Sequence, residues 1–539
     1  MKVILISIYQ ATPINPTYYY PLSLHYLKAY AHKDLADGVT IAIKNYTIEL
    51  QSNLIIQELL KDSPDVIGFT CYVWNTKKVL ELSHLLKKLQ PALKIVLGGP
   101  QVTATANSIL SDNEWVDVIV RGEGEQTFAE LLKYYSNNDL GLEAIKGISY
   151  RAGGKIHSNP PRPLLDNLDD IPSPFHEGLD DPSHEILIET QRGCPFECAF
   201  CACHKNFKSV RHFSMERVKA DLDHLFRSGV KRLFLADSTF NLNPKRAKEI
   251  LKHIGSINKN TSISTELRAE LLDEETIDLL EKAGVKFLEI GLQSTSPVTA
   301  KSIGRETNLE KFERGIRLLE GSKIQFVIQL MIGLPGDDLS SFKNSVDYVL
   351  NLAPDALQVF ELQLLPGSDL YDNAEHHGMI FHLTPPHLVI QNKTFSYSDI
   401  IRARRLYRET LLIYVWRNYV PLASLSGLTP SKLIEKWVAW REAEKGISLG
   451  DFDKLNSNRR LMLFSQFSKD LLLQNNPSAS KRLYVTAKCN ILVLLILSRY
   501  VKKMIRQLLR SGLFEMISNF NKNRRYRKMQ PSSSAGRIE

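Results

Sequence analysis

The sequence is short of most features that would place a chain at a glance. Six cysteines in 539 residues are too few for a disulfide-stapled scaffold. No run approaches the ~20 apolar residues that a membrane-spanning helix needs; "NILVLLILS", late in the chain, reaches nine. The opening "MKVILISIYQATP" has no signal-peptide pattern, because its short apolar run passes into Tyr and Gln as a first core strand would. These absences read as a cytoplasmic protein with reduced thiols. Charge of one sign is missing from the body too. The net charge is +9, but residues 501–539 hold ten Lys or Arg and two Glu, which is +8 and leaves +1 for the rest. The body therefore has no bulk electrostatic reason to bind nucleic acid. None of the 14 histidines forms a pair with persuasive metal-ligand spacing.

What remains is an ordinary globular composition, 43% apolar and 24% charged, long enough for about three domains of ~100–200 residues. Over residues 1–140, short β-branched runs alternate with amphipathic stretches such as "TKKVLELSHLLKKLQ" (76–90). The runs are "VILISIY" (3–9), "VTIAIKNYTIE" (39–49), "VIGFTCY" (66–72), "KIVLGG" (94–99) and "VDVIVRG" (116–122). Apolar strands separated by helices predict a doubly wound parallel sheet, with ligands outside the carboxyl ends of its strands. Those ends carry Tyr9-Gln10, Thr70-Cys71-Tyr72, Gly98-Gly99-Pro100 and Gly122-Glu123-Gly124. The glycines would let backbone approach a large ligand, or would simply make turns.

A Pro- and Asp-rich stretch (158–175) reads as part of a linker over 141–180. A second alternating series follows, with strands expected in "EILIET", "KRLFLAD", "SISTEL", "KFLEIGL", "IQFVIQLMIG" and "ALQVFELQLL". Six strand–helix units predict a parallel partial barrel over 181–394, with chemistry at its C-terminal mouth. Residues 395–520 read as mainly helical and 521–539 as a disordered basic tail.

Cys194, Cys198 and Cys201 form C-x3-C-x2-C directly after the first barrel strand. One tight loop would present three thiolates to a single centre. A cubane 4Fe–4S cluster normally takes four, so three would leave one iron open. Structural zinc, the competitor, asks for four ligands, usually as two separated pairs. Packed cysteines without chemistry sit poorly with Gly193 and Pro195 at the turn.

This loop, with Phe200 before its last cysteine, resembles the signature of the radical S-adenosylmethionine (SAM) superfamily. "LFLADSTFNLNP" (233–244), "ELRAE" (266–270), "LEIGLQS" (288–294), "MIGLPGD" (331–337) and "LLPGSDLY" (364–371) resemble later strand ends of its cobalamin-dependent class. "GGPQVTA" and "RGEGEQTFAELL" are similar to the cobalamin-binding domain that precedes such barrels. The resemblance covers roughly residues 1–380. It implies an α/β chain: a flavodoxin-like cobalamin-binding domain, a radical SAM partial (β/α)6 barrel and a helical C-terminal region.

The resemblance also implies cofactors and roles. Cys194, Cys198 and Cys201 would hold the 4Fe–4S cluster. Arg268 would grip the SAM carboxylate, since a guanidinium matches a carboxylate bidentately. Glu266, Glu289 and Gln293 would meet its amino group or ribose, with Phe200 and Asp237 beside them. Tyr9, Gln10, Thr70, Gly98, Gly99, Gly122 and Glu123 would line the cobalamin site. Tyr72 and Trp74 would shield the lower corrin face, and Gln101 would bond a corrin amide. The implied reaction moves a methyl group from methylcobalamin to an unactivated carbon or phosphorus of a small molecule, lipid or natural product. A radical SAM oxidoreductase or oxidative cyclase with the same cofactors is the alternative. A flavodoxin or ferredoxin would supply electrons.

The sequence departs from the pattern in one place. The D-x-H-x-x-G motif that supplies a lower histidine to cobalt is absent from residues 1–140. Cys71 is a conceivable substitute but reads better as a packed hydrophobe. Cys203, a fourth thiol in the loop, would close the open iron as a ligand and reads as a bystander; Cys489 has no role. "RYVKKMIRQLLRSGLFEMISNF" would lie on an anionic membrane surface or pack as a solvated basic helix.

Overall fold

Val3 and Leu5 face one side of strand β1 (Lys2–Tyr9), while Ile4, Ile6 and Ile8 face the other, each in its own core. A strand buried on both faces belongs to a parallel sheet with helices on either side. β2 (Thr40–Thr47), β3 (Val66–Thr70), β4 (Lys94–Gly98) and β5 (Val118–Val120) pair with it in parallel in the order β2-β1-β3-β4-β5. The order reverses between β1 and β3, and such a switch point, here at the strand ends Tyr9 and Thr70, is where open α/β sheets bind ligands. The intervening helices form because their apolar residues recur at helical spacing: in Thr76–Leu89, Val79, Leu82 and Leu86 are buried.

The structure, a computed structural model, describes residues 1–10, 20–35, 38–137, 141–176, 181–202, 207, 209–414 and 419–475. The loop after β1, Cys203, Cys489 and the basic C-terminal stretch lie outside them. Residues 1–417 form one unit and the remainder another.

The expected linker needs correcting. β6 (Ile148–Ala152) and β7 (Lys155–Ser158) extend the first sheet by two antiparallel strands. The legible signal was Gly153-Gly154, a two-residue connection of the kind that closes a hairpin.

The barrel follows. β8 (Glu185–Ile188) leads into a two-residue antiparallel pair, β9 (Gln191–Arg192) with β10 (Arg211–His212). β11 (Arg232–Leu235), β12 (Ser262–Leu267), β13 (Val285–Gln293), β14 (Gln325–Ile332) and β15 (Ala356–Glu361) then pair in parallel, in sequence order from β8. All six expected strands are present. Side-chain caps start the helices between them: Ser214, Asn243, Asp273 and Asp338 each accept from a backbone N–H in the first turn. β16 (Ile380–Phe381) and β17 (Val389–Gln391) form a hairpin after the barrel. The helix Tyr397–Tyr414 closes this unit.

The second unit is helical through residue 475 and centres on Trp437, stacked with Trp440 and edged by Phe452, Phe464 and Phe467. Among the described residues no helix is long and apolar enough to cross a membrane.

Candidate active site

The cysteine loop is braced from three sides. A Cβ on Gly193 would stand 2.4 Å from Ser209 O, so the loop can only start this close to the returning chain with glycine there. Ala199 N–H donates to Ile303 O (2.8 Å), and Leu370 N–H donates to Ala199 O (2.9 Å). Cys201 N–H donates to Cys198 O (2.9 Å), which makes the turn that brings these two thiols round; Phe200 sits half-buried within it. None of Cys194, Cys198 and Cys201 is in a disulfide. Burial pushes the Cys194 thiol above its ordinary value.

Two arginines serve this loop. Arg305, which no sequence motif flagged, lies 3.7 Å from Cys198 Sγ and also donates to Gly291 O at 2.7 Å. Arg268 stacks on Phe196 at 4.3 Å and pairs with Glu270 at 2.7 Å. Among the described residues, no three His, Cys, Asp or Glu converge as ligands of one ion would. A cubane takes one thiolate per iron, whereas structural zinc asks for four converging ligands. Three cysteines outside any disulfide in one braced loop, with a guanidinium at hand, fit the cluster.

The strand ends divide the expected SAM residues into two groups. Asp237, 2% exposed, accepts from Thr190 N, Thr190 Oγ1 and Gln191 N, and so ties the end of β11 to the foot of the loop. Burial raises its carboxyl to about 6 despite these bonds. Glu266, open to solvent, and Glu289, half-buried, are paired neighbours on β12 and β13 and alternate with the buried Thr265, Leu267, Leu288 and Ile290. Desolvation by the surrounding protein first, then Glu289, raises Glu266 to about 7. The Gln329 amide donates to Glu289 Oε2 (2.8 Å) and to Gln358 Oε1 (3.1 Å), so the interior is polar. Gln293 ends β13 at a register shift, with φ +73°. Its Oε1 is buried with no hydrogen-bond partner. A non-glycine residue in that conformation, holding out an orphaned acceptor, fits a ligand bearing an ammonium or hydroxyl group.

The cobalamin-side residues also divide. Gly99 has φ +108°, and a Cβ there would come within 2.6 Å of Cys71 O. A Cβ on Gly98 would meet nothing closer than 3.8 Å, and one on Gly122 would meet open space. No side chain therefore projects from Gly98, Gly99 or Gly122 at these strand ends, which leaves room for a large flat ligand to approach the backbone. Beside it Tyr72 and Trp74 stack at 4.5 Å, with Trp74 45% exposed. Tyr9 is half-buried and Gln10 exposed at the end of β1. Asn75, missed in the sequence, donates to both Ile8 O (2.9 Å) and Thr70 O (3.0 Å) and clamps the switch point. Burial holds the Cys71 thiol protonated, which leaves it a packing residue.

Two expectations change here. Glu123 is buried, and its oxygens accept from Arg192, Arg211 and Leu165 N. These bonds commit both of its oxygens to the junction with the barrel. Gln101 is also buried and gives its amide nitrogen to His387. Both side chains point into an interface that the sequence does not reveal.

The B12 binding domain family matches residues 16–132, and the Radical SAM superfamily matches residues 188–349. An uncharacterized methyltransferase of Pyrococcus horikoshii is 28% identical over 66% of this chain and 78% of its own length. The cobalamin-dependent radical SAM methyltransferase TokK of Streptomyces tokunonensis is 27% identical over 68% of this chain, and the match spans 57% of TokK. An anaerobic magnesium-protoporphyrin IX monomethyl ester cyclase of Rubrivivax gelatinosus is 25% identical over 73% of this chain and 71% of its own length. The cobalamin-dependent SAM radical enzyme OxsB, solved with aqua-cobalamin and SAM bound, shares the fold with a TM-score of 0.60 at 17% identity, over 91% of this chain and 75% of OxsB. The chain thus carries a B12 binding domain ahead of a Radical SAM domain, and the three-cysteine loop lies within the latter.

Proposed function

We propose that the chain is a cobalamin-dependent radical SAM methyltransferase acting on an unactivated carbon or phosphorus centre of a small molecule, lipid or natural product. One observation carries the reading. Arg192, two residues before Cys194, is hydrogen-bonded to Glu123 at the exit of β5 (2.9 Å), so the cysteine loop and the glycine-bearing strand ends adjoin within one unit. When bound, the cluster supplies the electron that cleaves SAM to a 5′-deoxyadenosyl radical, and cobalamin supplies a methyl carrier.

The chain's own groups bind and orient. Cys194, Cys198 and Cys201 hold the cluster, and Arg305 places positive charge beside Cys198. Gln293 offers its free carbonyl to SAM, and Arg268, Glu266 and Glu289 line the approach. Gly98, Gly99 and Gly122 would admit the corrin, and the exposed Tyr72–Trp74 stack would offer it an aromatic surface. Flavodoxin or ferredoxin as electron donor and a cytoplasmic location belong to the same proposal.

The cyclase relative favours a second reading, radical oxidation or ring closure without methylation. Product mass separates the two. Methyl transfer adds one CH2 and yields S-adenosylhomocysteine alongside 5′-deoxyadenosine. Deoxyadenosine with an oxidised product, and no label from methyl-labelled SAM, would establish the cyclase type instead.

A further inference from the structure

The chain after β15 touches both cofactor loops. Early in this segment Leu370 N–H donates to Ala199 O within the cysteine loop (2.9 Å). A Cβ on Gly367 would stand 3.1 Å from the Ala104 Cβ, so the segment lies against the short helix that leaves the Gly98-Gly99-Pro100 turn. Further on, His387 Nε2 is 2.8 Å from Gln101 Nε2. Both side chains are buried, at 4% and 5% exposure.

The hydrogen bonding fixes this pair. His387 Nδ1 lies 3.2 Å from His382 O, a contact that only an N–H satisfies. Nε2 is then the bare nitrogen and accepts from the Gln101 amide. From Gln101 the connection continues through backbone. Its N–H donates to Cys71 O (3.2 Å), and Cys71 N–H donates to Gly98 O (2.7 Å). His387 thus reaches the ends of both β3 and β4. A buried polar pair is directional: a slip of the interface would leave both groups unpaired, whereas an apolar contact would tolerate it.

Building on the cofactor reading above, we propose that residues 364–395 are the spacer between the two cofactor sites. Within it, His387 is a positioning residue that sets the glycine turn, and the corrin on it, against the cysteine loop.

Hydroxocobalamin binding to the full-length chain, followed by absorbance titration, tests this without turnover. His387→Ala and Gln101→Ala should each weaken binding about 10-fold, the size of one buried hydrogen bond. The double variant should be no weaker than either single one. His387→Asn should return to within about 2-fold of wild type, because Asn keeps an acceptor and tolerates the backbone φ of +54° here. Iron content after reconstitution should not change. Wild-type affinity in His387→Ala, multiplied losses in the double variant, or a lower apo-protein Tm with unaltered affinity would each overturn the inference. Should His387→Ala fail to fold, Gln101→Ala with His387→Asn decides the question by the same criteria. Failure of the wild-type chain to bind hydroxocobalamin is a different result and removes the cofactor reading itself.

Discussion

Arg192 donates to Glu123 across the boundary between the two α/β domains at 2.9 Å, and it also meets Glu125 at 3.0 Å and Glu189 at 2.6 Å. Arg211 binds Glu123 from a second side at 2.8 Å. Burial would raise the Glu123 carboxyl, but Arg211 and Arg192 outweigh it and hold the group below its ordinary value. Burial likewise opposes the charge on Arg192, and Glu125 and Glu189 overcome it.

Removing one partner from such a cluster leaves a buried charge uncompensated, which costs about 3–5 kcal/mol. Glu123→Ala should fall near 3, because Arg192 keeps Glu125 and Glu189 and Arg211 keeps Leu165 O. Arg192→Ala should cost more, since it strips a cation from three carboxylates. Urea unfolding measures both. A single unshifted transition in Glu123→Ala would deny the junction any energetic role.

Replacing Cys194, Cys198 or Cys201 singly with Ala removes one of the three proposed cluster thiolates. Iron content and deoxyadenosine formation should drop to background in each, while hydroxocobalamin still binds its separate domain. Cys203→Ala should keep both cluster and SAM cleavage. The opposite pattern, with Cys203 required and Cys201 dispensable, would reassign the ligands.

Asp237 gives a pH signature. Its folded-state value of about 6 lies above the ordinary 3.8, so the folded chain holds this proton more tightly than the unfolded chain. Stability from this group is therefore greatest below pH ~4 and is lost as pH rises toward 6. A shift of about two units corresponds to roughly 3 kcal/mol. Asp237→Asn keeps an oxygen for the Thr190 and Gln191 N–H groups but cannot titrate. Between pH 4 and 6 its unfolding free energy should decline less than that of wild type; identical slopes would rule out the shift.

Gly99→Ala places a Cβ within 2.6 Å of Cys71 O at a φ of +108°. Strain of this kind costs about 1–3 kcal/mol, and the turn it displaces belongs to the proposed corrin site. Both Tm and hydroxocobalamin affinity should fall. Gly122→Ala meets no neighbour within 4 Å, so its stability should suffer less than that of Gly99→Ala. A corrin that seats over β5 would still feel the new methyl group.

The sequence alone determined what depends on local order. Strand–helix alternation, the six barrel strands and the three-cysteine spacing were legible because period-two and helical hydrophobicity and loop chemistry act between near neighbours. The Gly153-Gly154 hairpin was equally local and was hidden only by the proline-rich stretch after it. What tertiary structure decided are contacts between residues far apart in sequence: Arg192 with Glu123, Gln101 with His387, Arg305 with Cys198, and Asn75 bridging two strand ends. A carboxylate or amide at a strand end carries no mark of whether it will face a ligand or a neighbouring domain. That choice moved Glu123, Gln101 and Asp237 from expected ligand contacts to structural roles. The reason is desolvation: once domain packing removes such a group from water, it must pair with whichever donor or acceptor the opposite surface presents.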